Sequence, residues 1–274
     1  MEQQKPTSWD IASEAFLKCS KIDEPFEQPV NDRLIDLAEI RTGDTVVDVA
    51  TGIGDPGLSV ARRVGPTGRV VAIDQSTGML AVAERRAREA GLTNIEFRQV
   101  DANAFEFPDA SIDAVVCRWG LMFLTDLADA LGRMRRSLKA GRCLAAATWS
   151  EPGKVPIISL RRGVMRAFDI PTGPNDPFRL SSAETLQTAA VSAGFAEVTV
   201  TRSIVPYEYA SADTFANVQR TAHESRLTTL LARSAPEQAE FWRALAAAAR
   251  PYTADDGVVR MPSEILLLAA RNVS

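Results

Sequence analysis

One turn constrains this chain more than any other feature. The stretch "VVDVATGIGDPGL", Val46 to Leu58, places Gly52, Gly54 and Gly57 in the order G-x-G-x-x-G, directly after a β-branched apolar run that carries Asp48 near its end. A buried strand that breaks into a glycine turn and then a helix is the opening of a βα unit. Such a turn brings bare backbone close to a bound nucleotide.

The surrounding pattern supports a parallel sheet. From Thr42 to Trp149 strand-like and helix-like runs alternate, as in an α/β domain. "DTVVDVA", "GRVVAID", "NIEFRQVD", "IDAVVCRWG" and "RCLAAATW" read as five strands, and "GMLAVAERRAREAG" and "DLADALGRMRRSLKAG" as amphipathic helices between them. Asp55 reads as an N-cap with Pro56 at the first helical position, and Ser181 with Glu184 has capping-box spacing. "AEVTVTRSIVPYEY" and "SEILLLAAR" close the sheet.

Residues Lys154 to Leu180 and Ser211 to Tyr252 break the alternation and read as insertions forming a helical cap, joined by the N-terminal segment from Trp9 to Val30. The expected organisation is therefore an N-terminal cap segment over 1–41, a nucleotide-binding core over 42–150, cap insertions over 151–180 and 211–256, core continuation over 181–210, and a final core strand over 257–274.

Composition excludes several classes. At 274 residues with a net charge of −4, the chain has ample apolar content for a large core and no basic field to attract nucleic acid. Cys19, Cys117 and Cys143 lie far apart, with no zinc or disulfide pattern, so no metal is expected. No run approaches the roughly 18 apolar residues of a membrane span. The expected compartment is the cytoplasm, and a homodimer is a possible assembly.

By spacing alone the turn is a dinucleotide fingerprint, with Asp74 about 20 residues on, where a ribose acid belongs. A NAD-dependent oxidoreductase is thus one reading. Against it, a pyrophosphate needs free amides at the helix start, whereas Pro56 removes one and Asp55 and Asp48 place carboxylates there. No Tyr-x-x-x-Lys pair follows. An acidic glycine turn suits a cationic ligand, such as the ammonium and sulfonium of S-adenosylmethionine.

Together, "DVATGIGDPGL", "VVAIDQSTGML", "VDANAFEFP" and "CRWGLMFLTD" resemble the class I S-adenosylmethionine-dependent methyltransferases, and within them the ubiquinone/menaquinone biosynthesis C-methyltransferases. The resemblance covers Thr42 to Trp149 well and the last strands loosely. It implies a Rossmann-like seven-stranded sheet, mostly parallel with an antiparallel last strand, with helices on both faces. Carried over by position, it implies that Asp48, Ala50, Gly52 and Gly54 line the methionine side of the cofactor and that Asp74, followed by Gln75, holds the ribose hydroxyls. Met79 packs on adenine, Asp101 accepts from its amino group with the Ala102 amide facing the ring, and the Arg118 backbone holds the ammonium. The family usually has glycine where Ala50 stands, and this branch also tolerates alanine.

Methyl transfer is an in-line displacement that needs alignment and a dry site, plus a base when the acceptor is a phenol, enol or ring carbon. The sole histidine, His223 in "RTAHESRL", is the candidate base. Tyr207, Tyr209 and Tyr252 are weaker ones. Trp9, Phe16, Trp119, Met122 and Phe123, with Phe26, Met165 and Phe168 behind them, suggest an aromatic or prenyl-like acceptor near the ends of the fourth and fifth strands. The expected activity is transfer to carbon or oxygen of a small hydrophobic phenolic, quinone-like or polyketide-like molecule. Transfer to nitrogen, and a cofactor-binding module without catalysis, are the alternatives.

Overall fold

The computed structural model describes residues 7–104 and 106–273. Seven strands form one sheet: β1 (Thr45–Val49), β2 (Arg69–Asp74), β3 (Ile95–Gln99), β4 (Ile112–Arg118), β5 (Leu138–Trp149), β6 (Ala196–Tyr209) and β7 (Val259–Arg271), in the order β3-β2-β1-β4-β5-β7-β6. The first five run parallel, whereas β7 lies antiparallel to both β5 and β6. The expected sheet is therefore the observed one.

Burial explains the sequence pattern of the central strands. Val46, Val47, Val70, Ala72, Ala114, Val115, Val116, Leu144 and Ala145 are all fully enclosed, because helices cover both faces of the sheet. These are α2 (Gly57–Val64), α3 (Thr77–Glu89), α4 (Leu127–Ser137) and α6 (Ala183–Ser192), with one long helix, α1 (Ser8–Leu37), packed on α3, β5 and β6.

Several expectations shift. Asp55 does not cap α2: the helix starts at Gly57 after Pro56, and the Asp55 carboxylate turns instead to Arg86 and Arg118. The cap of α6 is Ser182, whose hydroxyl accepts from the Thr185 amide, rather than Ser181. Strand β5 begins at Leu138, four residues before "RCLAAATW", because Leu138 pairs with Ile112 and Lys139 and Arg142 both reach Asp113 of β4. The N-terminal segment is a single 30-residue helix that accommodates Pro25 and Pro29, opened by a capping box between Thr7 and Asp10.

The two irregular segments hold α5 (Pro156–Ala167), then α7 (Ala212–His223), a 3₁₀ turn (Glu224–Arg226), α8 (Thr228–Leu231), α9 (Ala235–Ala249) and a second 3₁₀ turn (Arg250–Tyr252). Helices α5 and α7 both pack on α9, and α1 packs on α7. No described helix is long and apolar enough to cross a membrane.

Candidate active site

The glycine turn is organised from below by Asp48. Its side chain is fully buried at the end of β1, and one carboxylate oxygen accepts from the Thr51 hydroxyl at 2.5 Å and from the Gly57 amide at 2.8 Å. Burial pushes this carboxyl up to about 7, against those two hydrogen bonds. Its other oxygen, Oδ1, has no hydrogen-bond partner among the described residues.

Asp74, at the end of β2, closes the turn from the other side. It accepts from the Gly52 amide and the Ser76 amide, each at 2.9 Å. Two amides leave lone pairs on both carboxylate oxygens, as a pair of vicinal hydroxyls requires. Burial raises its proton affinity, the two amides oppose this, and Asp10 adds to it.

Five backbone donors of the turn are spent internally. Gly52 donates to Asp74, Gly57 to Asp48, Gly54 and Asp55 to the Thr51 carbonyl, and Leu58 to the Gly54 carbonyl. Pro56 has no N–H to offer. A pyrophosphate would meet carboxylates here and none of these amides, so the nicotinamide reading lacks its phosphate cradle. The arrangement suits a cationic, phosphate-free nucleoside.

Ala50 and Trp119 both adopt left-handed backbone, at φ of 57° and 56°. The close approach of β1 and β4 explains why Gly120 lies between them: a Cβ there would fall 2.6 Å from that of Ala50 and 2.7 Å from the Cys117 sulfur. Met79, on the first turn of α3, packs with Ile53 and Val82 beneath Trp9, Phe16 and Leu17 of α1. Ala102 is buried, and exposed Asp101 accepts from the backbone and side chain of Asn103 at 2.9 and 2.8 Å. Gln75 is exposed, and its carbonyl accepts from the Gln99 side chain at 3.3 Å.

Two features escaped the sequence reading. Asp10 reaches from α1 onto the start of α3, accepting from the Ser76 hydroxyl at 2.6 Å and the Gly78 amide at 2.8 Å, so α1 is laid across the cofactor turn. Glu27 meets the Arg118 guanidinium at 3.2 Å. Arg118 is thus a buried ion-pair partner at the end of β4, and its guanidinium also lies 4.5 Å over the Trp119 ring. Tyr207 donates to Glu27 at 3.0 Å and Tyr209 to Asp23 at 3.1 Å. A helix repeats about every four residues and a strand face every two, which lets one turn of α1 match one repeat of β6. The i, i+4 acids and the i, i+2 tyrosines were the legible signal for this pairing.

The expected acceptor residues separate. Trp9 packs 5.9 Å from Phe123 and 5.8 Å from Phe16, and Trp119 stacks on Trp149 at 4.5 Å with an interplanar angle of 7°. Met122 and Met165 are enclosed in the core, Phe26 packs on Tyr207, and Phe168 on Phe241. His223 is half-buried, edge-on to Phe16 at 5.9 Å and bonded through Nδ1 to Arg226. The flanking Arg220 and Glu224 pair with each other and do not hold it in solvent. Burial, and then Arg161 and Arg226, hold its proton affinity well below the usual imidazole value.

This sheet order and this acidic turn define an S-adenosylmethionine-dependent methyltransferase of the Rossmann-like class. The ubiE/COQ5 methyltransferase family profile matches residues 28–161. The ubiquinone/menaquinone biosynthesis C-methyltransferase UbiE of Pseudomonas savastanoi pv. phaseolicola is 35% identical over 179 residues, spanning 60% of this chain and 70% of that one. The YcgJ protein of Bacillus subtilis superposes with a TM-score of 0.61 at 19% identity, covering 89% of this chain and 98% of the other. The geranyl diphosphate C-methyltransferase of Streptomyces coelicolor A3(2), solved with S-adenosyl-L-homocysteine, does so with a TM-score of 0.53 at 18% identity, covering 90% and 79%. The chain belongs to the ubiE/COQ5 methyltransferase family, and it is an enzyme that uses S-adenosylmethionine.

Proposed function

We propose that this enzyme transfers the methyl group to carbon or oxygen of a small hydrophobic acceptor with a phenolic, quinone-like or polyketide-like body. The observation that carries the reading is the aromatic layer of Trp9, Phe16 and Phe123, set against Met79 and Ile53 at the edge of the cofactor turn. An apolar ring gains most from such a wall. The C-methyltransferase relatives favour carbon.

In this reading Asp74 accepts from both ribose hydroxyls, Met79 packs on the adenine, Asp101 and the Ala102 amide meet its edge, and Ala50, Gly52, Gly54 and Asp48 border the methionine portion. Bound S-adenosylmethionine supplies an electrophilic methyl on a sulfonium. The helices α1, α5 and α7 to α9 act as the cap that excludes water and aligns the acceptor. His223, held neutral by burial and then by Arg161 and Arg226, accepts at Nδ1 the proton that leaves the acceptor, once Arg226 releases that nitrogen.

The test is labelled S-adenosylmethionine with a panel of phenols, quinols, enols and amines, followed by mass spectrometry of the products. Label should enter the carbon or oxygen acceptors. Transfer confined to amines would overturn the assignment.

A further inference from the structure

Two arginines in the helical segments lack the anion that their position calls for. Arg161 of α5 donates through Nε to the Gln219 side chain of α7 at 3.1 Å. One helical turn on, His223 bonds Arg226, whose guanidinium lies 4.8 Å over the Trp9 ring and 5.2 Å over Phe16. Neither guanidinium forms an ion pair with a carboxylate among the described residues, and the Arg226 Nε is buried with no hydrogen-bond partner. Two other arginines of the same helices differ: Arg162 pairs with Asp176 at 3.3 Å and Arg220 with Glu224 at 2.9 Å.

Burial, followed by the charges of Arg226 and Arg162, draws Arg161 down to about 9, and burial draws Arg226 to about 10. Both remain charged near neutrality. Packed cations without a counter-charge are costly in a fold, and Arg is the side chain best shaped to receive a forked oxyanion. Trp9 and Phe16, over which the Arg226 guanidinium lies, also pack with Met79 and Ile53, so one aromatic layer connects this group with the turn.

We propose that Arg161, Arg226 and Gln219 receive an oxyanion, a carboxylate or a phosphate, carried by the acceptor. The acceptor is then an organic acid whose apolar body crosses the Trp9–Phe16 wall toward the methyl donor. A neutral quinone ring leaves both guanidinium groups unanswered. The inference rests on the small hydrophobic acceptor proposed above and adds its charged end.

Calorimetry with the full chain saturated in S-adenosylhomocysteine tests it, using benzoate, phenyl phosphate and benzamide at matched ionic strength. At least one anion should bind tenfold or more tightly than benzamide, and whichever binds better identifies the carboxylate or phosphate source. Arg161→Met and Arg226→Met, which keep an apolar stem, should each erase that preference and leave S-adenosylhomocysteine affinity unchanged. Without added anion, both variants should melt higher than the native chain, because an unanswered charge has been removed. Equal binding of benzamide, no binding of either anion, or native anion affinity in the variants overturns the proposal, as does a lower melting temperature in both. Anion selectivity that stands while no aromatic acceptor is methylated would strike the acceptor reading and spare this site.

Discussion

The Gly57 amide donates to the Asp48 carboxylate at 2.8 Å, and a Cβ built on Gly57 would sit 2.7 Å from that same oxygen. The third glycine of the turn is therefore glycine because β1 and α2 are joined through a buried carboxylate at contact distance, with no room for a side chain between them.

Gly57→Ala must push Asp48 away from Thr51 and the α2 amide. Breaking a buried charged hydrogen bond costs about 1–3 kcal/mol, so the variant should unfold at lower urea and bind S-adenosylhomocysteine at least tenfold more weakly. Native affinity in calorimetry would show that the turn tolerates the added methyl.

Asp74→Ala removes the acceptor shared by the Gly52 and Ser76 amides and, on the proposed function, the one that meets the ribose. The affinity for S-adenosylhomocysteine should fall by about 1–3 kcal/mol while circular dichroism stays native. An unchanged affinity in the folded variant would take Asp74 out of the site.

Stability should depend on pH through the α1–β6 contact. Burial, with Glu27 four residues on, raises Asp23 from 3.8 to about 7, so the folded chain holds this proton more tightly than the unfolded one. Stability from this group is present at low pH and declines as pH climbs from about 4 to about 7. Asp48 adds to the decline over the same interval. Asp23→Asn keeps an acceptor for Tyr209 and should flatten part of the slope between pH 5 and 8 in urea titrations, making the variant the more stable of the two at pH 8. A mutant curve parallel to the native one would contradict the burial of that carboxylate.

His223→Ala should lower kcat with a hydroxyl or carbon acceptor by about 10²-fold or more if the imidazole removes the proton. Because burial and the two arginines depress its proton affinity, the acid limb of the native kcat profile should lie below pH 6.5. A native rate in the variant assigns proton removal elsewhere.

Much of this molecule is local in origin and was readable as such. Apolar β-branched runs become central strands wherever helices cover both faces, so β1, β2 and β4 fall where Val46, Val70 and Val115 placed them. Asp48 and Asp74 stand at strand ends because the alternation of strand, turn and helix puts them there. The helix caps slipped by a residue at Asp55 and Ser181, since a cap is decided by which carboxylate or hydroxyl the neighbouring packing leaves free. Asp55 is drawn away by Arg86 at 2.6 Å.

The sequence by itself determined the sheet, the glycine turn and the acids that exclude a phosphate, because each depends on residues within a few positions of one another. Only the tertiary structure decided which charges meet: Asp10 with Ser76, Glu27 with Arg118, and Arg161 with Gln219. These partners lie between 58 and 91 positions apart, and electrostatic energy depends on distance through space and on the removal of water, neither of which is written in chain order. His223 shows the difference, since folding sets it edge-on to Phe16 of α1 and beside Arg161 of α5, neither of which its own stretch of sequence contains.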